Sequence, residues 1–205
     1  MDQQKYIEDL REIREIMNRS SRFISLSGLS GISAGIFALI GAYVAYKTVY
    51  APQGELNYNS ILFSSESILK LILIGAITLV CATGAAILFT KRTAEKKQQK
   101  LWDHQTKRLL VNLAIPLLSG GIFCLMLILN GFLGLIAPLT LIFYGLSLVN
   151  ASKYTLSEVR SLGLAEIVLG LLSAYFIGFG LLFWAIGFGV LHIIYGVVMQ
   201  LKYKS

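Results

Sequence analysis

Long apolar runs alternate with short charged blocks along this chain. Two of the runs, 23–48 and 68–89, have the length of a single membrane helix, whereas the apolar runs 109–149 and 162–199 are much longer. One straight helix over 109–149 would be roughly 60 Å long, about twice the thickness of the hydrocarbon core. Each long run is therefore predicted to hold two spans, which turn at Asn130-Gly131 and within Ile177 to Gly180.

The pattern predicts an all-α membrane protein with six transmembrane helices in three tandem hairpins. The bundle occupies 23–205, with spans at about 23–48, 68–89, 109–129, 132–150, 162–177 and 181–201. Composition agrees, because 56% of the residues are apolar and only 14% are charged, against about 25% charged in soluble domains. The mean hydropathy is +0.70. The net charge of +7 is interpreted through topology, and no nucleic-acid partner is expected.

The positions of Lys and Arg predict the orientation of the spans. Sixteen of the 18 basic residues fall in the N-terminal segment, the Lys91–Arg108 loop, the loop after the fourth span and the C-terminal tail. With six spans, these four segments lie on one side, which places both termini in the cytoplasm. Lys47 and Lys70 lie on the opposite side, each at the edge of a span. The expected location is a bacterial inner membrane.

Residues 1–22 form a predicted cytoplasmic amphipathic helix. Its apolar stripe includes Tyr6, Leu10, Ile13 and Met17, and its opposite face carries charges of both signs. The helix is suited to lie on the membrane, to cover the bundle, or to bind a partner protein or an identical subunit. Packing against its own bundle or in a homo-oligomer is the most economical of these.

Small residues recur at spacings of three and four within the spans, which is typical of tightly packed membrane helices. The predicted packing positions include Gly31, Gly35, Gly170, Gly189 and Gly196. An internal repeat is also predicted. With a shift of 51 residues, "NLAIPLLSG" aligns with "GLAEIVLGL" and "LIFYGLSLV" with "HIIYGVVMQ", and "GLSGISAG" of the first span matches "GLAEIVLG". Chance similarity between apolar hairpins is the competing explanation.

The opening "EIREIM", followed by "NRSSRFISLSGLSGISAGI", resembles a family of uncharacterised small bacterial multi-pass membrane proteins. The three-hairpin plan is more loosely similar to the acid-resistance membrane protein family. Neither resemblance implies a catalytic motif.

The sequence contains no H-E-x-x-H zinc motif, no P-loop and no dinucleotide-binding fingerprint. An enzyme is therefore not expected, and neither a cofactor nor a metal is predicted. Cys81 and Cys124 are interpreted as small hydrophobic residues. The basic Lys91–Arg108 loop is foremost a topology determinant, and it is also suited to attract anionic lipid of the surrounding bilayer.

Glu166 and His192 are the only acid and the only histidine within the predicted spans. Both lie 13 positions from Phe179, so the hairpin is predicted to hold them at the same depth, about 20 Å from the outer boundary. Tyr195 and Asn112 complete the candidate intramembrane polar site. An ionisable group in a membrane indicates function by default. The alternative is that Glu166 reaches water at the cytoplasmic boundary and His192 bonds a carbonyl or a tyrosine.

Two functions stay open from the sequence. The first is a non-enzymatic membrane protein that regulates or scaffolds a partner through its cytoplasmic segments. The second is a small transporter or channel for an ion or small solute, with proton-linked transport as one form. A continuous polar cavity favours transport, whereas a closed apolar core favours the regulatory module.

Overall fold

The computed structural model describes residues 27–53, 64–96, 98 and 102–203. The part described is helical and contains no strand. The helices are α1 Gly28–Ala45, α2 Ser65–Lys96, α3 His104–Leu129, α4 Ile136–Ala151, α5 Ser157–Tyr175, α6 Gly180–Trp184 and α7 His192–Lys202. A π-helical segment, Ala185–Leu191, joins α6 to α7, and we call Gly180–Lys202 the C-terminal segment. A second π-helical segment, Tyr46–Tyr50, continues α1.

Five of these segments are long and apolar enough to cross a membrane: Gly28–Tyr50, Ser65–Lys96, His104–Leu129, Leu133–Tyr154 and Ile177–Lys202. The α5 helix is not among them, although it is 19 residues long. It carries Glu158, Arg160 and Glu166, and these three charges lower its hydropathy. The structure therefore shows a membrane-type helical bundle. The count of six spans stays a prediction.

Several helix ends differ from the apolar boundaries predicted for the spans. The α2 helix continues to Lys96, and α3 begins at His104, so much of the basic segment assigned to a loop is helical. The helical ends have local support: Lys91 pairs with Glu95 at 3.9 Å, and the Asp103 carboxylate accepts from the Thr106 backbone N–H at 2.7 Å as an N-cap. A helix can extend beyond its apolar residues, because its backbone hydrogen bonds also form where the helix is in water. The predicted N-terminal helix, 1–22, lies outside the described residues.

Both predicted tight connections lie where the chain reverses. Asn130 is the C-terminal cap residue of α3. Gly131 follows with φ +80°, in the left-handed region that glycine adopts without strain. A 3₁₀ turn at Ile177–Phe179 joins α5 to α6. The α3–α4 and α5–α6 connections are therefore short, and each pair of helices runs antiparallel.

Glycines bring α1 close to the C-terminal segment. A Cβ added at Gly196 would lie 2.5 Å from both the carbonyl oxygen of Gly28 and the backbone nitrogen of Ile32. A Cβ at Gly35 would lie 2.6 Å from the carbonyl oxygen of Gly189. The two backbones approach this closely only because these positions have no side chain.

The α4 and α5 helices cross in the same way. A Cβ at Gly145 would lie 2.6 Å from the carbonyl oxygen of Gly163 and 2.9 Å from the backbone nitrogen of Ile167. A Cβ at Gly170 would lie 2.9 Å from the carbonyl oxygen of Pro138. This crossing is the most extensive contact between any two of the described helices.

The contacts of the two crossings occupy matching positions. Shifting Gly145 by 51 residues gives Gly196, and shifting Gly28 by 135 gives Gly163, which are the two glycine pairs that meet. The same shifts carry Ile32, which Gly196 contacts, onto Ile167, which Gly145 contacts. The α1 contact with the C-terminal segment therefore has the same pattern as the α5 contact with α4.

Candidate functional site: a buried Glu166–His192 pair beside a cleft

Glu166 lies on the face of α5 that is turned into the bundle. Its residue exposure is 0%, and neither carboxyl oxygen has a hydrogen-bond partner among the described residues. Gly187 makes room for this side chain, because a Cβ there would lie 2.5 Å from Glu166 Oε2 and 2.5 Å from Leu141 Cδ2. The carboxyl group is therefore held in a tight, largely apolar environment.

His192 stands opposite Glu166, at the first residue of α7. Its Nδ1 is 3.4 Å from Glu166 Oε1 and 3.0 Å from the carbonyl oxygen of Gly187. Its Nε2 is 2.8 Å from the Tyr144 hydroxyl. The imidazole therefore connects three elements: α5 through Glu166, the π-helical segment through Gly187, and α4 through Tyr144.

The distances restrict where protons can be. A neutral imidazole with its proton on Nδ1 donates to the Gly187 carbonyl and accepts from the Tyr144 hydroxyl at Nε2. In that state a charged Glu166 has no hydrogen-bond donor among the described residues, which favours the protonated carboxyl group. The other neutral arrangement moves this proton to His192, which then faces a carboxylate across 3.4 Å. Both arrangements carry no net charge, which a buried site with few polar partners favours.

The π-helical segment and a group of aromatic rings shape the surroundings of His192. The ring of Phe188 lies 5.0 Å from that of Tyr144, 5.0 Å from that of Trp184 and 6.0 Å from that of His192, centroid to centroid. In an uninterrupted α-helix the backbone N–H of each residue bonds four residues back, and a π-helical turn changes this register locally. Such turns occur frequently at functional sites. Here the turn ends at the residue before His192.

A cleft of about 170 Å³ borders the pair on one side. It lies at the end of the bundle that carries the α4–α5 connection, and six helices contribute to its wall: Ser30, Gly31, Ala34, Ala86, Leu109, Leu113, Tyr144, Leu148, Ala151, Thr155, Val159, Leu162, His192 and Tyr195. From Ala151 to Tyr144 the cleft follows α4 for about 10 Å. The Tyr144 and His192 side chains form its inner end.

The residues beyond that inner end are closely packed. Leu141 and Glu166 come one turn deeper on α4 and α5, and Ser173 deeper still on α5; all three are 0% exposed. None of the three lines the cleft. The described residues directly beyond the inner end of the cleft are therefore fully buried, and His192 lies between the cavity and Glu166.

The other residues predicted for the polar site lie in different surroundings. Tyr195 lines the cleft, and its hydroxyl is buried without a hydrogen-bond partner in the described part of the chain. Asn112 makes its contacts elsewhere: its side-chain nitrogen donates to the Arg108 carbonyl, and its own carbonyl accepts from Asn150. The described hydrogen bonds of Asn112 are thus with Arg108 and Asn150.

Tyr144 is a residue of the site that the sequence prediction did not include. A signal for it existed, since Tyr144-Gly145 aligns with Tyr195-Gly196 in the predicted repeat.

The predicted packing glycines lie at helix contacts: Gly31, Gly35, Gly189 and Gly196 between α1 and the C-terminal segment, and Gly170 between α5 and α4. Cys81 and Cys124 are free thiols. In the described part of the chain, no three His, Cys, Asp or Glu side chains come together as a metal site.

Comparison of the chain with models of protein families, with curated proteins and with solved structures found no match in any of the three.

Proposed function

We propose that this chain is a non-enzymatic integral membrane protein that acts as a regulatory or scaffolding module. In this proposal six spans cross a bacterial inner membrane, both termini are cytoplasmic, and the cytoplasmic segments bind the partner. The observation that carries it is the full burial of the residues beyond Tyr144 and His192, at the inner end of the cleft. A transporter needs a route that continues to the other side, and the fully buried Leu141, Glu166 and Ser173 occupy that direction.

We infer further that the three hairpins are repeats of one unit. The matching contacts of Gly28 with Gly196 and of Gly163 with Gly145 support this inference. In a tandem repeat, the same shift that aligns the sequences has to align the contacts. The proposed membership of the uncharacterised bacterial family rests on the opening of the sequence.

The Glu166–His192 pair is the proposed element through which the module responds to its surroundings. One proton shared by the two groups keeps the pair neutral, and gain or loss of a proton leaves a net charge in a site with few polar partners. The charge would then favour a different arrangement of α5 and the C-terminal segment. Such a change is transmitted to the cytoplasmic end, where Glu158 of α5 bonds Lys202 and Tyr203.

A second candidate function is proton-linked transport of an ion or small solute. The two unpartnered oxygens of Glu166 favour it, because a buried carboxyl group without hydrogen bonds is suited to exchange a proton or a ligand. In this case Tyr144 and His192 would form an inner gate, and the packed region around Leu141 would have to open.

Flux measurements distinguish the module from a transporter that conducts protons. The purified chain is reconstituted in liposomes that contain a pH-sensitive dye, and a potassium gradient with valinomycin imposes a membrane potential. The module predicts a proton flux equal to that of protein-free liposomes, for the wild type and for Glu166→Gln alike. A flux above this background that Glu166→Gln abolishes would refute the module and support proton-linked transport.

A double-mutant cycle tests the pair itself. Glu166→Gln and His192→Phe are made singly and together, and thermal stability in detergent is measured at several pH values. Coupled groups give an interaction free energy of about 0.5–3 kcal/mol. Additive effects with no change in pH response would show that the two residues act independently.

A further inference from the structure

The cleft has a gap in its wall on the side of α2 and α3. These helices follow one another in the chain, yet in their described parts they make hardly any contact. Ala86 on α2 and both Leu109 and Leu113 on α3 line the cleft. Because α2 packs mainly on α1, and α3 mainly on α4, the space between α2 and α3 opens toward the surrounding bilayer.

The two helices lack the residues that close the other crossings. With the shift of 51 residues, Gly163 corresponds to Asn112 on α3 and Gly170 to Ser119. A close crossing of the kind seen between α4 and α5 requires glycine at these positions. The gap therefore cannot close by the same contact. An empty gap would leave its lining without partner atoms and lose dispersion energy.

Exposed basic residues lie on α2 and α3 close in sequence to the residues that line the cleft, toward the proposed cytoplasmic end. Arg92 and Lys96 on α2 are exposed, and so is Arg108, which directly precedes the cleft residue Leu109 on α3. Two acids lie in the described part of the same region: Glu95 is paired with Lys91, and Asp103 caps α3. The rim thus has an excess of positive charge directly outside an apolar cleft.

We propose that the gap between α2 and α3 is a binding site for one anionic phospholipid. One acyl chain occupies the cleft against Ala86 and Leu113, and the phosphate lies at Arg92 and Arg108. An acyl chain that leaves the bilayer for an apolar cleft gains no hydrophobic free energy, because both surroundings are apolar. Affinity for the anionic lipid over a neutral one therefore comes from the rim.

The first experiment measures headgroup preference. Native mass spectrometry of the full chain in detergent is used to titrate phosphatidylglycerol and phosphatidylcholine. Each arginine is expected to raise the affinity for phosphatidylglycerol over phosphatidylcholine about fivefold, through its attraction to the anionic headgroup. The two arginines together then give a preference of about 25-fold. The double variant Arg92→Gln/Arg108→Gln should lose it, whereas Lys47→Gln, in the π-helical segment that continues α1, should keep it. Equal binding of the two lipids by the wild type overturns the proposal.

The second experiment tests the acyl chain. Ala86→Phe fills the cleft and should weaken binding of both lipids at least tenfold. Ala76→Phe adds the same side chain at an exposed position of α2 and should bind like the wild type. If Ala86→Phe does not fold, Leu113→Phe fills the cleft from α3, with the exposed Leu117→Phe as its control. Undiminished binding by the cleft-filling variant that folds overturns the site.

Discussion

Alanine at Gly35 tests how α1 packs against the C-terminal segment. The added Cβ would lie 2.6 Å from the carbonyl oxygen of Gly189, 2.7 Å from Ile193 Cγ1 and 3.0 Å from the backbone nitrogen of Ile193. Two of these three atoms belong to the backbone and cannot rotate away, so the helices have to move apart. Overpacking of this kind costs about 1–3 kcal/mol, and the better helix propensity of alanine returns about 1 kcal/mol.

Gly75→Ala is the matched control on α2. A Cβ at Gly75 has nothing within 4 Å, so this variant shows the propensity gain without the overpacking. The difference between the two variants therefore isolates the overpacking cost of about 1–3 kcal/mol. At roughly 2–4 °C per kcal/mol for a chain of this size, Gly35→Ala should melt roughly 2–12 °C below Gly75→Ala.

The position matching Gly35 in the proposed repeat provides a second comparison. A Cβ at Gly170 would lie 2.6 Å from Ile142 Cγ1, 2.9 Å from the Pro138 carbonyl oxygen and 3.0 Å from the Ile142 backbone nitrogen. These contacts closely match those at Gly35. Gly170→Ala should therefore lower the melting temperature by a similar amount.

The assay uses the buried thiol of Cys124. In a Cys81→Ser background, a thiol-reactive fluorescent dye labels Cys124 only as the helices separate, because its residue exposure is 7%. Heating in detergent micelles then gives a melting temperature for each variant. If Gly35→Ala and Gly75→Ala melt together, the close contact of α1 with the C-terminal segment is refuted.

Three further predictions concern other parts of the chain. Partial burial raises the pKa of Glu158, but hydrogen bonds from Lys202 and Tyr203 outweigh the burial and hold the pKa below the ordinary 4.5. The ionised Glu158 therefore stabilises the fold above pH 4.5, and this stabilisation should be lost as the pH falls below that value. Lys202→Gln should weaken the pH dependence of the melting temperature. Tyr144→Phe removes the hydrogen bond to His192 and should cost about 1–3 kcal/mol in the same melting assay, because a buried group loses its partner; an unchanged melting temperature would show that the bond contributes nothing. Reporter fusions at the C-terminus and within 93–105 should report cytoplasm and a fusion at Gly54 the outside, and a C-terminus outside would refute six spans.

The helical, membrane-type class of the protein and the positions of most apolar helices could be predicted from the sequence. Hydropathy and length are local properties, so the apolar runs and the turns at Asn130-Gly131 and Ile177–Phe179 could be located without knowledge of contacts. Helix ends were less accessible. The helical state of 90–96 depends on backbone bonds and on pairs such as Lys91 with Glu95, and hydropathy does not measure either.

Which of the small and polar residues meet depends on how the helices pack against one another. The spacing of glycines on each helix was visible in the sequence, but the pairing of Gly28 with Gly196 depends on how two distant helices cross. Counting from the α5–α6 turn predicted that Glu166 and His192 share a depth, and only the rotation of each helix about its axis brings them to 3.4 Å. The same rotation, altered by a π-helical turn before His192, brings the ring to Tyr144. Such contacts join residues that are 26 to 168 positions apart, and they follow from packing of the whole bundle, which no local pattern specifies.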